Sequence, residues 1–357
     1  MKKHAIIPVF IPHEGCPNDC VFCNQKKITA RQAPVHAEDV RKIIEDYLPT
    51  LTGRGIETIE IAFFGGSFTG IPMEEQSEYL AVAKEYKDKG LIDKIHLSTR
   101  PDYISREVLD NLKFYGVDVI ELGVQSFDEE VLKASNRGHG SHVVYESCDL
   151  IKSYGFELGI QLMIGLPKDT KEKSIYSARE AVKIGPSIAR LYPTVIIDDT
   201  ELLNMYIRGE YSALTQEEAV ETTKEMYKIL TAAGINVIRV GLKSTDIINE
   251  NGAVTGGTYH PAFRQLVEGA IAQEILEEML GKLLDASMTD VKASCETSTV
   301  PNGNNAKVTF ESCGASFSNM VGNNKCNKIY FAEKYPHLNI KFAVNNELAE
   351  GEYKVVW

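Results

Sequence analysis

Residues 59–68 read Ile59-Glu60-Ile61-Ala62-Phe63-Phe64-Gly65-Gly66-Ser67-Phe68, an apolar, β-prone run that stops on two glycines. A run of this length bounded by turn residues is a buried strand. On either side of it the same unit recurs. Residues 5–11, 95–99, 119–124, 157–164, 188–192 and 236–240 are further short apolar runs, and helical spacing fills 74–89, 105–115, 141–154, 171–184 and 216–233. Ser105 stands where a helix N-cap belongs, and Gly90, Gly155 and Gly234 follow helical segments as stops. Strands alternating with helices predict a parallel sheet with helices outside. The fold class is therefore α/β, a partial (β/α)6 barrel of the TIM-like kind, and its working residues are expected at the C-terminal ends of the strands. Polar or glycine-rich signals fall at those ends in turn: Gly65-Gly66-Ser67, Thr99-Arg100, Gln125-Ser126, Gly165-Leu166-Pro167 and Tyr192-Pro193-Thr194. After a polar, Asn/Gly-rich stretch at 294–305, short strand-like runs at 307–311, 338–344 and 353–357 predict a small α+β appendage. The expected division is residues 1–280 for the barrel and its extension, and 281–357 for the C-terminal domain.

The first strand end carries Cys16-Pro17-Asn18-Asp19-Cys20-Val21-Phe22-Cys23. Three thiolates at this spacing suit a cubane iron–sulfur cluster. Such clusters ordinarily take four cysteines, so three leave one iron open to a non-protein ligand. The same spacing also admits structural zinc, with His13 or His36 as the fourth ligand. Cys148 falls within a helix and reads as core. Cys295, Cys313 and Cys326 lack C-x-x-C spacing and do not form a second cluster motif.

With 357 residues, 43% of them hydrophobic and 25% charged, the composition is that of a globular protein. Seven cysteines, an odd number with three clustered, fit a reducing cytoplasm better than a disulfide framework. The apolar runs are too short to span a membrane, and residues 5–11 read as a first strand rather than a signal peptide. The formal charge is −12 and lies within residues 1–280, since residues 281–357 sum to zero. That balance is at odds with nucleic-acid binding, which depends on phosphate neutralisation. Lys26, Lys27 and Arg31 form a local basic cluster beside the cysteines, either a basic mouth or a solvated loop.

Together the cysteine motif, Gly65-Gly66-Ser67-Phe68 and the six-fold rhythm resemble the radical S-adenosylmethionine (radical SAM) superfamily. Thr99-Arg100-Pro101-Asp102-Tyr103, Gly123-Val124-Gln125-Ser126, Asn136-Arg137-Gly138-His139 and Arg190-Leu191-Tyr192-Pro193-Thr194 resemble the radical domain of the Elongator catalytic subunit and its relatives. This resemblance covers roughly residues 5–275. It departs in the shorter interval between the first two cysteines, and residues 281–357 show no acyl-CoA loop of an acetyltransferase domain.

The resemblance implies a [4Fe-4S] cluster on Cys16, Cys20 and Cys23, shielded by Phe22. Its open iron would bind S-adenosylmethionine, whose reductive cleavage gives methionine and a 5′-deoxyadenosyl radical. Gly65 and Gly66 would admit the methionine ammonium close to backbone, with Ser67 adding a hydroxyl. Gln125 would meet the ribose or carboxylate, Ile164-Gly165 would flank adenine, and Tyr192 would stack on adenine or pack at the mouth. Two-residue alternation puts Glu121 on the face of Gly123 and Gln125, with Arg100 as partner for Glu121 or for the cofactor carboxylate. Arg137 and His139 are expected at the substrate, or His139 in loop capping. The implied substrate is RNA, a tRNA base, with a ferredoxin- or flavodoxin-type electron donor, no membrane and a cytoplasmic location. Two alternatives stand beside it: the same radical chemistry on a small metabolite or protein side chain, and a zinc- or cluster-bound scaffold without catalysis.

Overall fold

The computed structural model describes residues 4–11, 20–24, 36–51, 53–242, 253–293 (side chains only to 286) and 306–357. Cys16, Lys26, Lys27, Arg31, His13 and Cys295 lie outside the described residues. The chain forms two compact units, Met1–Pro261 and Ala262–Trp357.

The first unit is built on a curled seven-stranded sheet. Its strands are β1 (His4–Ile11), β2 (Thr58–Gly65), β3 (Lys94–Thr99), β4 (Val119–Gln125), β5 (Glu157–Ile164), β6 (Ile188–Pro193) and β8 (Asn236–Val240), side by side in chain order. Every neighbouring pair is parallel. Among the described residues β1 and β8 are the two edges, so the barrel is partial, with one strand more than the six-fold count. Two further short strands, β7 (Val195–Ile197) and β9 (Val254–Gly257), pair antiparallel as a separate ribbon. Buried strands read as apolar runs because both faces are covered; Ile61, Ala62, Phe63, Ile95, Leu97, Ile120, Leu122, Ile160 and Leu162 are all fully buried.

Local capping explains the helix starts. The Ser105 hydroxyl accepts from the Val108 amide at 3.2 Å at the head of the helix Arg106–Phe114. Asp128 does the same for Val131 and Thr170 for Lys173, and Thr215 with Glu218 forms a full capping box on Gln216–Ala232. The helices Ala37–Leu51, Glu129–Ala134 and Glu201–Ile207 add to those expected.

The second unit begins at Ala262, ahead of the expected boundary at 280/281. The reason is one long helix, Phe263–Ala293, whose Ala272, Leu276 and Leu280 recur every fourth residue on one face. That face packs with Val308, Phe310, Met320, Phe331 and Tyr353 into one core. The sheet beneath is β10 (Ala306–Ser312), parallel to β11 (Leu338–Val344) and antiparallel to β12 (Tyr353–Val356). No helix among the described residues is long and apolar enough to cross a membrane.

Candidate active site

Because all seven strands run the same way, their C-terminal ends share one edge, and the loops leaving them build the site. The end of the cysteine motif, residues 20–24, is tied down there by backbone. Val21 donates to the Ser135 carbonyl at 3.2 Å, Leu202 donates to the Val21 carbonyl at 2.7 Å, and Cys23 donates to the Cys20 carbonyl at 2.9 Å. Val21 packs with Ile196, Leu202 and Tyr211, and Phe22 lies against that cluster. Asn24 adds a side-chain bond to the Asp198 carbonyl at 3.0 Å.

The Cys20 sulfur sits in a cationic pocket. Cys20 is 5% exposed, Arg100 and Arg137 4% each. Arg137 Nη1 donates to the sulfur at 3.2 Å and Arg100 Nη1 at 3.5 Å. Arg100 is itself clamped: Nε and Nη2 donate to the two Asp102 carboxylate oxygens at 2.9 and 2.8 Å, and Nη2 also reaches the Arg137 carbonyl. Arg137 Nη2 donates to the Gly123 carbonyl at 2.5 Å. Two guanidinium donors converge on one sulfur, and Cys20 and Cys23 stand one tight turn apart, a sulfur donor set that fits a cysteine-held cluster. The sequence reading gives Arg137 to substrate and gives Asp102 no role; Arg137 reaches Cys20 across loops, and Asp102 holds Arg100 from two residues away.

Gly65 leaves β2 at φ +105°, a conformation that favours glycine. The Gly66 amide donates to the Ile11 carbonyl at 3.1 Å, tying this turn to the end of β1. Ser67 is buried, and Thr69 and Thr99 share a hydroxyl–hydroxyl bond at 2.6 Å that joins the loops after β2 and β3. On β4 the expected alternation breaks. A register shift between Gly123 and Gln125 interrupts the pairing with β5, and Gln125 has φ +70°. Its amide folds back so that Nε2 lies 2.9 Å from where a Cβ on Gly123 would stand, and Oε1 accepts from Gln161 at 3.2 Å. Gly165 follows β5 at φ +78°, its amide bonded to Asp169 at 2.8 Å and its carbonyl accepting the Tyr211 hydroxyl at 2.6 Å. Ile164 is buried beside it. No sequence signal marked Tyr211 or Gln161.

Glu121 does not meet Arg100. It is 1% exposed and pairs instead with Arg190 Nε at 2.8 Å, close but not aligned as a hydrogen bond. A polar ladder, buried from Glu60 onward and exposed at His4, crosses the sheet. His4 Nε2 lies 3.2 Å from Glu60, Glu60 accepts from His96 Nδ1 at 2.6 Å, and His96 Nε2 lies 3.7 Å from Glu121. Arg190 stacks on the Phe64 ring at 4.6 Å and donates weakly to the half-buried Tyr192 hydroxyl at 3.5 Å. Burial acts to raise the Glu60 carboxyl, but the His96 hydrogen bond and charge outweigh it and hold Glu60 below the usual carboxylate range.

His139 donates from Nδ1 to the Gly140 carbonyl at 3.2 Å. Burial, then the Arg137 charge, pushes its imidazole down to about 4 from 6.5. As pH falls the unfolded chain takes up this proton first. The stability that His139 supplies above pH 6.5 is thus lost between 6.5 and about 4. His139→Asn is expected to flatten the melting-temperature profile across that window; parallel profiles for both proteins would remove this assignment.

A curled parallel sheet with the Cys20–Cys23 turn at its C-terminal edge defines a partial barrel whose candidate site lies at the mouth. Residues 10–179 match the radical SAM superfamily, and residues 186–273 match the Radical_SAM C-terminal domain. The chain belongs to the radical SAM superfamily. It is 27% identical to the tRNA uridine(34) acetyltransferase of Methanocaldococcus infernus and 26% identical to Elongator complex protein 3 of Bos taurus. Each match covers 61% of this chain and 48% of the relative, so the chain spans about half the length of these curated relatives. An archaeal Elp3 structure from Methanocaldococcus infernus, lacking an N-terminal segment, shares the fold with a TM-score of 0.60 at 22% identity, over 77% of this chain and 64% of that one. Membership of the superfamily implies a [4Fe-4S] cluster and S-adenosylmethionine in general terms.

Proposed function

We propose that this chain is a cytoplasmic radical SAM enzyme that modifies a tRNA base. Cys16, Cys20 and Cys23 would hold three irons of a [4Fe-4S] cluster, leaving the fourth to S-adenosylmethionine. When bound, these groups supply one-electron cleavage of the sulfonium and a 5′-deoxyadenosyl radical. The chain's own residues position and enclose. Gly65, Gly66 and Ser67 offer backbone and hydroxyl at the end of β2, Gln125 at the end of β4 with Gln161 within β5 offers amides, and Ile164 and Gly165 with Tyr192 give a largely apolar wall. Glu121 belongs to the supporting layer through Arg190, and Arg100 to the sulfur of Cys20. A ferredoxin- or flavodoxin-type protein would deliver the electron.

The observation that carries the RNA reading is the match to a tRNA uridine(34) acetyltransferase across 61% of the chain. The proposal concerns the radical step and not acyl transfer, because only 48% of that relative is matched. The charge of −12 requires the RNA to be met by a local basic surface rather than by overall attraction. The test is a comparison of tRNA nucleosides, uridine 34 first, from cells with and without the gene. One modified nucleoside is expected to disappear and to return with the wild-type gene but not with Cys20→Ala. An unchanged profile, with 5′-deoxyadenosine still formed by the purified protein, would move the substrate to a small metabolite or a protein side chain.

A further inference from the structure

We propose that Arg100, clamped by Asp102, is a positioning residue that holds the Cys20 sulfur and sets the reduction potential of the cluster ligated there. This rests on the cluster site proposed above and adds a function for two residues outside the cysteine motif. Guanidinium is a flat, rigid fork. With Nε and Nη2 fixed on Asp102 at 2.9 and 2.8 Å, the remaining edge is fixed as well, and Nη1 meets the sulfur at 3.5 Å. The carbonyl of Arg137 anchors Nη2 from another side. All of this lies in a setting where Arg100 and Cys20 are 4% and 5% exposed, so water screens it little.

Iron–sulfur potentials respond to net charge and to hydrogen bonds on the sulfurs. Reduction adds an electron. A cation donating to a ligating thiolate stabilises the reduced form and raises the potential, while the carboxylate behind it works in the opposite sense. The two members of the clamp are therefore expected to act with opposite signs, which a purely structural pair would not do.

The measurement is a redox titration of the anaerobically reconstituted full chain, followed by the paramagnetic signal of the reduced cluster, with iron counted in parallel. Arg100→Gln is expected to retain iron and to lower the equilibrium constant for reduction about tenfold, which for one electron is about 59 mV downward. Asp102→Asn is expected to move it upward by a similar factor. Iron-loaded Arg100→Gln with an unchanged potential overturns the proposal, as do shifts of the same sign in both variants. Should Arg100→Gln fail to take up iron, Asp102→Asn decides: a rise supports the role and an unchanged value ends it. A wild-type chain that takes up no cluster overturns the cluster site itself and this role with it. A loaded wild type with unshifted variants overturns this role alone.

Discussion

Cys20→Ala is expected to abolish cluster assembly, taking iron from about four per chain to well below one, and to end 5′-deoxyadenosine formation with a strong reductant. The expectation comes from the pocket as much as from the motif. Cys20 is the cysteine whose sulfur receives both guanidiniums, and it lies nearly fully buried. Removing the sulfur leaves two donors without their acceptor, at about 1–3 kcal/mol, so the chain should stay folded while losing metal. Cys20→Ser restores an acceptor for the arginines but not a soft ligand, and is expected to recover melting temperature without recovering the cluster. Metal analysis on the wild type tests the zinc-scaffold alternative. One zinc and no 5′-deoxyadenosine would leave a scaffold, and retained iron with cleavage in Cys20→Ala would remove Cys20 from the site.

The fold was legible because parallel strands covered on both faces leave continuous apolar runs, as in Ile59–Phe64, and because their C-terminal ends announce themselves with glycine or polar residues. A helix start was legible where a side chain caps, as at Ser105. Three things were not. The boundary at 261/262 depends on Ala272, Leu276 and Leu280 packing with strands that begin at Ala306, and such a partnership is invisible to a local window. The conformation of Gln125 depends on a bulge, which interrupts the two-residue rule that groups Glu121 with Gly123 and Gln125. Partner choice among buried charges is set by distances across the sheet. Glu121 is buried, yet nothing in the sequence distinguishes Arg190 from Arg100 as its mate. Arg100 pairs instead with Asp102, two residues away, a contact that strand and helix periodicity does not mark.

Arg190→Met is expected to be the most damaging change outside the cluster loop. It would leave Glu121, 1% exposed, with its nearest cation gone and His96 at 3.7 Å as the remaining neighbour. Breaking a buried pair by removing one member costs about 3–5 kcal/mol, because the other charge stays desolvated. For a unit of this size that corresponds to a fall of roughly 10 °C in the melting transition. Loss of the Phe64 stacking contact adds to it. The double variant Glu121→Gln with Arg190→Met removes both charges and is expected to recover most of the loss, the signature of a coupled pair. Glu121 stands two residues before Gly123 and four before Gln125 on the same strand, so the single variant should also loosen the edge where the cofactor would sit. Weaker S-adenosylmethionine binding at temperatures below the melt, restored in the double variant, would show that the ladder supports the mouth as well as the core. A single variant within about 0.5 kcal/mol of wild type would mean that the interior admits enough water to solvate Glu121, and that the pair is not what holds this layer of the barrel together.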